Sequence, residues 1–513
     1  MRARTGVIGL ALLAAVSLPG GVSPLAATPV AAAAGCTVGQ ETDFNGDGVR
    51  DIAVADPEAA VSGLGEAGVV HIVYGGGKGV TSISQDTPDI PGAAEKGDRY
   101  GHTLATYDHN KDGCTDLVVG IPYEDIEDKA DAGLVQILYG APGGLTTGPA
   151  VLEFLQGKGE GNIGSTAAEA GDWFGHAVAA GATSSGEPYL VIGVPGEDVG
   201  AVVDSGMAHY LRGSTNAGFT QNTAGVSGDA EENDRFGYAV AASPNHIGVG
   251  SPGEAIEDRT FSGGLQFLEH ALNSGGIPTP LAGVEQDSPG INGAAETGDQ
   301  LGTALAAVPY RPSGASSANE TLFAVGVPGE DLATGEDAGR VVTLRVTGSG
   351  DVTQTADINQ SYAAIDDVGE DGDYFGQHLT AVNTAPGSTG TAQTVLLAVG
   401  APGEDTETAD ARDAGAVQIF PMVGEPGSGD VWLEKGRLGL PGQPGPQEYL
   451  GVGLTADRQR LHLGVPYGPG SERGVYGVLW TSLLSGLPDT VSTVRPGQDG
   501  VPAGGRAFGA VVR

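Results

Sequence analysis

Three short signals recur seven times each along this chain, always in the same order, and they leave few folds open to it. The first is an aromatic residue or Leu followed by Gly: Tyr100-Gly101, Phe174-Gly175, Phe236-Gly237, Leu301-Gly302, Phe375-Gly376, Leu450-Gly451 and Phe508-Gly509. The second is an apolar run closing on proline: ADP at Pro57, then GIP, GVP, GSP, GVP, GAP and GVP at Pro122, Pro195, Pro252, Pro328, Pro402 and Pro466. The third is a small residue or Arg, then Gly, then a strand-like run: AGVVHIVYG, AGLVQILYG, SGMAHYLRG, SGGLQFLEH, AGRVVTLRV, AGAVQIFPM and RGVYGVLWT. A fixed period of this kind marks one supersecondary unit repeated until its faces are covered. The runs between signals are short and rich in Val, Ile, Leu and Tyr, as strands require. LVVGIP, LVIGVP and LLAVGAP are almost continuously apolar, which predicts strands buried on both faces.

One unit therefore reads as a four-stranded antiparallel sheet. Aromatic-Gly opens strand one, the run to Pro is strand two, the Gly-led run is strand three and a variable segment is strand four. With 89 Gly and 31 Pro a helical chain is excluded, while 40% hydrophobic residues supply a core that a disordered acidic chain would lack. The phase at the termini chooses between a linear stack and a ring. The chain reaches Pro57 before any aromatic-Gly signal and ends on Phe508-Gly509 with no Pro after it. Pairing the last strand with the first sheet completes a seventh unit and removes two open edges. The expected fold is an all-β, seven-bladed propeller over residues 35–513.

Residues 1–34 read as a secretory signal peptide. Arg2 and Arg4 precede an apolar run from Val7 to Leu18, and AAAAG places cleavage after Ala34. Lipid anchoring at Cys36 is an alternative, although Ala33 stands where a lipoprotein signal carries Leu. No later stretch is long and apolar enough to span a bilayer. The 24 Lys and Arg against 64 Asp and Glu give a net charge of −40, which repels nucleic acid and anionic membranes and attracts cations.

The three signals together resemble the FG-GAP repeats of integrin α-subunit propellers and of secreted bacterial proteins with the same repeat. The likeness spans essentially the whole mature chain. It lacks an inserted domain, leg domains and a membrane anchor, so integrin-type heterodimerisation is not implied.

Two loops read D-x-N-x-D-G-x-x-D: DFNGDGVRD from Asp43 to Asp51 and DHNKDGCTD from Asp108 to Asp116. Oxygen ligands at alternate positions suit a hard cation, and the Gly permits the sharp turn. Two calcium ions are expected. One is assigned to Asp43, Asn45, Asp47, the Val49 carbonyl and Asp51; the other to Asp108, Asn110, Asp112, the Cys114 carbonyl and Asp116. An EF-hand is excluded because position twelve is Val54 or Val119 instead of Glu, and a strand follows directly. In FG-GAP blades such loops join strands one and two, which puts both on one face of the ring. Cys36 just before the first loop and Cys114 within the second are then expected to form a disulfide.

A second acidic pattern belongs to the opposite face. E-x-x-D precedes the aromatic-Gly signal at Glu95/Asp98, Glu169/Asp172, Glu231/Asp234, Glu296/Asp299 and Glu370/Asp373. In the same five units a Glu stands two residues after Pro: Glu124, Glu197, Glu254, Glu330 and Glu404. Both are missing from the units of Gly451 and of Gly509/Pro57. Turn chemistry, with carboxylates accepting backbone N–H groups, is one reading; an acidic crown for cations or a basic ligand is the other. His102, His176 and His378 follow the aromatic-Gly signals closely, and such recurrence reads as packing.

No G-x-S-x-G, H-E-x-x-H or phosphate-binding loop is present. The favoured reading is a non-enzymatic, monomeric extracellular binding or adhesion module for a protein or glycan. A polysaccharide hydrolase or lyase with its site in the central channel, and a calcium-stabilised cell-envelope protein, stay open as alternatives.

Overall fold

The computed structural model describes Cys36, residues 41–362, Ile365, residues 368–406, residues 411–427 and residues 429–513. The expected signal peptide over residues 1–34 lies outside them. The described chain forms seven four-stranded antiparallel sheets, the blades of a closed propeller. Blade one joins Val511–Val512, Ile52–Asp56, Val69–Tyr74 and Gly79–Ile83, in that order from the ring centre outwards. Its innermost strand comes from the end of the sequence, with Val54 paired to Val512 and Ala55 to Val511. Blades two to seven begin at Thr103–Tyr107, Ala177–Ala182, Ala239–Ala242, Leu305–Tyr310, His378–Asn383 and Gly453–Ala456, and each runs outwards in sequence order.

Second strands are buried along their whole length in Asp116–Ile121, Glu320–Val327 and Val395–Ala401, and beyond their first residue in Pro188–Val194 and Arg460–Val465. Each lies between two neighbouring strands and also between two neighbouring blades. The hydrophobic clusters accordingly straddle blade junctions. Val70 and Ile83 of blade one pack with Leu104, Leu117 and Val119 of blade two, and Val54 and Val512 pack with Val475 across the closure.

Glycine sets how closely blades approach. A Cβ on Gly193, in the GVP run of blade three, would lie 1.9 Å from the carbonyl oxygen of Gly237 in blade four. Gly250 and Gly302, then Gly326 and Gly376, repeat this contact at 2.1 Å. A second contact lies beside it: Gly206 (φ 85°) leads strand three of blade three, and its Cβ would lie 2.3 Å from the Phe236 carbonyl oxygen. The next blade's aromatic residue then docks by its backbone N–H, Phe174 on Ala132, Phe236 on Ser205, Phe375 on Ala338. Both recurring glycines are thus places where backbone meets backbone, and the exception is blade one, where Ala55 stands in the place of Gly193 with its methyl against Gly101.

Replacing Gly193 by Ala is expected to destabilise the ring by about 3 kcal/mol, since backbone cannot yield as a side chain can. Gly65→Ala, at a site with nothing within 4 Å, is expected to be near neutral. Thermal denaturation of the two variants beside the parent checks the difference.

Candidate functional site

Both D-x-N-x-D-G-x-x-D loops lead into strand two of their blade: the first enters Ile52–Asp56 of blade one, whose strand one comes from the far end of the chain, and the second joins strands one and two of blade two. They share one hydrogen-bond scheme. In the first, Asp43 accepts from the N–H groups of Asp47 (3.1 Å) and Gly48 (2.8 Å), and Asn45 accepts from Asp47 (3.0 Å). Asp47 accepts from Val49 (2.8 Å), and Asp51 accepts from Phe44 and Gly75 (both 2.8 Å). In the second, Asp108, Asn110, Asp112 and Asp116 accept from Asp112, Gly113, Cys114, His109 and Gly140 in the same pattern. Burial raises Asp51 to a pKa of about 6, with Asp43 and Asp47 adding repulsion. Asp116 is raised to about 7, with Asp112 and Asp108 in the same role. Lys78 reaches Asp47 only at 3.8 Å on the surface, and Lys111 pairs with Glu187 instead of its own loop. Oxygen-only donors with so little counter-charge suit a hard cation. The three carboxylates of one loop do not close into a tight triad. Among the described residues, the three acidic, His or Cys ligand atoms found within 4.8 Å of one another are those of Cys36, Asp112 and Cys114.

Cys36 and Cys114 are disulfide-bonded, with Cα atoms 5.0 Å apart. Cys36 packs on the first loop, where a Cβ on Gly46 would lie 2.6 Å from it. Thr115 N–H donates to the Asp43 carbonyl (2.9 Å) and Ala141 N–H to the Phe44 carbonyl (3.0 Å), so the two loops are stitched by backbone as well.

The acidic motifs gather at the other ends of the strands. Asp98, Asp172, Asp234, Asp299 and Asp373 are buried, and each accepts the N–H of the Glu three residues earlier at 2.5–2.7 Å. Those glutamates, Glu95, Glu169, Glu231, Glu296 and Glu370, are exposed. The post-proline glutamates turn inwards. Glu124, Glu197, Glu330 and Glu404 accept from the side-chain amides of Gln85, Gln156, Gln286 and Gln360 at 2.6–3.0 Å, and Glu254 accepts from Gln221. Each glutamine follows strand four of one blade and each glutamate belongs to the next, so the pair clamps a junction. This glutamine is invisible to motif reading, because only the fold sets it beside the glutamate.

Junction six–seven carries the same device in other residues. Glu448 accepts from Gly445 N–H at 3.0 Å in the place of the buried Asp, and Lys435 replaces Gln. The Lys435 ammonium donates to both oxygens of Glu448 (2.7 Å each) and to Glu472. At the closure Asp56 accepts from Arg506 and Ala507 N–H (2.9 and 3.0 Å). The sequence signal for Glu448 was its place, three residues before Gly451 as Asp98 is before Gly101.

A further set surrounds the channel mouth on this face. The residues before the aromatic-Gly pairs, Arg99, Trp173, Arg235, Gln300, Tyr374 and Tyr449, all have φ of 52–58°. L side chains enter this region at a cost of about 1–2 kcal/mol. Arg99 stacks over Tyr123 (5.3 Å) and Arg235 over Trp173 (5.7 Å), while Tyr449 meets Tyr467 edge-on at 5.9 Å. His102 and His176, 5.3 Å apart, pack among these rings. Beneath them lies a cavity of about 360 Å³, lined by Glu58, Arg99, His102, His378, Tyr467 and Arg513 among others.

Residues 100–138 match the FG-GAP repeat family model. One stretch of the propeller, from strand one to strand three of blade two, therefore carries an FG-GAP repeat. Over 179 residues the chain is 30% identical to phosphatidylinositol-glycan-specific phospholipase D of Bos taurus, covering 34% of this chain and 20% of that protein. Over 159 residues it is 28% identical to integrin alpha-PS5 of Drosophila melanogaster, covering 30% of this chain and 14% of that one. The chain thus spans about a fifth or less of the length of these relatives. The solved periplasmic gluconolactonase PpgL of Pseudomonas aeruginosa aligns with 90% of this chain and 98% of its own, at a TM-score of 0.44 and 11% identity. Among the described residues no helix is long and apolar enough to cross a membrane.

Burial first, and repulsion between neighbours second, raise Glu124 and Glu254 to about 8, Glu197 and Glu330 to about 7, Asp98 and Asp299 to about 6, Asp234 to about 7 and Asp172 to about 8. The native state then binds more protons than the unfolded chain between about pH 4 and 8, so the contribution of these groups to stability rises as pH falls through that window. In chelator, the parent is expected to melt higher at pH 5.5 than at pH 8. Glu124→Gln, which keeps an oxygen for Gln85, should raise the melting temperature at pH 8 and raise it much less at pH 5.5.

Proposed function

We propose that this protein is a secreted, calcium-braced propeller that binds an extracellular glycan at the channel mouth. The observation that carries the reading is the set of six large residues held in left-handed backbone before the aromatic-Gly pairs. Glycine would occupy those positions without strain, so Arg, Trp, Gln and Tyr there are retained at a cost the fold itself does not require. Tyr374 and Tyr467 are exposed and Trp173 is half-buried under Arg235, so the two tyrosines offer aromatic surface to the apolar faces of sugar rings, with the Arg235 guanidinium nearby for polar groups. Calcium at the two aspartate loops would brace the opposite face. Its ligands would be Asp43, Asn45, Asp47 and Asp51 in one loop, and Asp108, Asn110, Asp112 and Asp116 in the other, with the carbonyls of Val49 and Cys114.

Two measurements test the two halves. Trp173→Gly and Tyr374→Gly should keep the melting temperature within about 3 °C, because relief of backbone strain offsets lost contacts, and should abolish binding on a glycan array. Binding that survives in both variants, or binding only to a protein ligand, would overturn the glycan site. Product release in a hydrolase and lyase screen would make the channel an enzyme site instead.

Calcium at a hundredfold excess over its dissociation constant adds about 2.7 kcal/mol per site. Chelation should therefore lower the melting temperature by about 5 °C or more; an unchanged melting curve would remove calcium from the loops.

A further inference from the structure

Three blade junctions on the acidic face bury two carboxylates with no protein cation beside them. They are Asp98 with Glu124, Asp172 with Glu197, and Asp234 with Glu254. None of these six carboxylates has a Lys, Arg or His nitrogen within 4.0 Å among the described residues. Each junction also holds a glutamine at most 5% exposed whose amide nitrogen is spent on the glutamate, while its oxygen has no hydrogen-bond partner: Gln85, Gln156 and Gln221. The free Oδ1 atoms of Asp172 and Asp234 are buried and unpartnered in the same way. Orphaned acceptor oxygens beside a pair of like charges are costly unless something positive meets them.

Two other junctions of the same ring supply that positive charge from the protein. In junction six–seven Lys435 stands where the others have glutamine, and its ammonium lies between Glu448 and Glu472. In junction four–five the Arg340 guanidinium reaches Glu330 at 3.4 Å, beside Asp299 and Gln286, whose oxygen is unpartnered here as well, so the built-in cation serves the carboxylates. The repeat therefore shows the same acidic clamp with and without a built-in cation. At one junction that lacks it, a cavity of about 250 Å³ opens beside Gln221 and Glu254, lined also by Ser251 and Gln266. That volume holds an ion with its remaining water ligands.

We propose that the junctions of Gln85/Asp98/Glu124, Gln156/Asp172/Glu197 and Gln221/Asp234/Glu254 each bind a divalent cation, calcium, in place of the lysine that junction six–seven builds in. Two carboxylates balance its charge, the amide oxygen is a third ligand, and a donor set of oxygen alone selects a hard ion over zinc. These sites are separate from the two aspartate loops and extend the calcium reading of the ring to its opposite face.

Calcium stoichiometry on the full chain, by native mass spectrometry and calorimetric titration with calcium alone, tests this. The parent should bind five ions and the loop variant Asp43→Ala/Asp108→Ala three. Gln85→Lys and Gln221→Lys, which copy the lysine junction and keep the clamp, should each bind one ion fewer than the parent with no loss of melting temperature. Two ions in the parent and none in the loop variant would overturn the junction sites while leaving the loops standing. Three ions in both would support the junctions and remove the loops. Unchanged stoichiometry in both lysine variants would also overturn the proposal.

Discussion

Close approach of backbone to backbone at the blade junctions is the constraint on which the rest of this molecule depends. Seven sheets close into a ring only if each strand two lies against the next blade's opening turn. Gly193 on Gly237 and Gly206 on Phe236 leave no space for even a methyl group there. The same proximity buries second strands on both faces and lets one hydrophobic cluster serve two blades. It also carries the turns between blades inwards, together with the acids they bear.

Two polar devices follow from that geometry, one at each end of the strands. At one end, aspartate loops fold on their own backbone N–H groups, and a disulfide with backbone hydrogen bonds joins the loops of blades one and two. At the other, a glutamine from one blade reaches a glutamate of the next beside a buried aspartate. Burial makes these carboxylates reluctant to ionise, which is why a lysine in one junction and an arginine in another are informative about the rest. Inside this acidic rim lie the left-handed residues before the aromatic-Gly pairs, of which Arg99 lines the cavity beside His102, His378 and Tyr467.

The fold was legible because its requirements fall on residue types. A position that admits no side chain must be Gly, and a strand enclosed on all sides must be apolar, so seven blades and the closure through Val511–Val512 can be read from letters. The site was legible only in part. Asp98 and Glu124 stand out as recurring acids, but Gln85 is an ordinary polar residue until strand four of one blade is set against the next. Lys435, Glu448 and Glu472 break the pattern of types while keeping its geometry. The residues at the channel mouth share a backbone angle and no chemistry.

The sequence by itself determined the number of blades, the strand order within each, the closure of the ring and the face on which each acidic motif lies, because spacing and glycine placement are local or strictly periodic properties. Tertiary structure alone decided which acids are buried, which partner each one has and which residues converge on the channel. Those depend on distances between blades some sixty or seventy residues apart in the chain, and no local pattern encodes them.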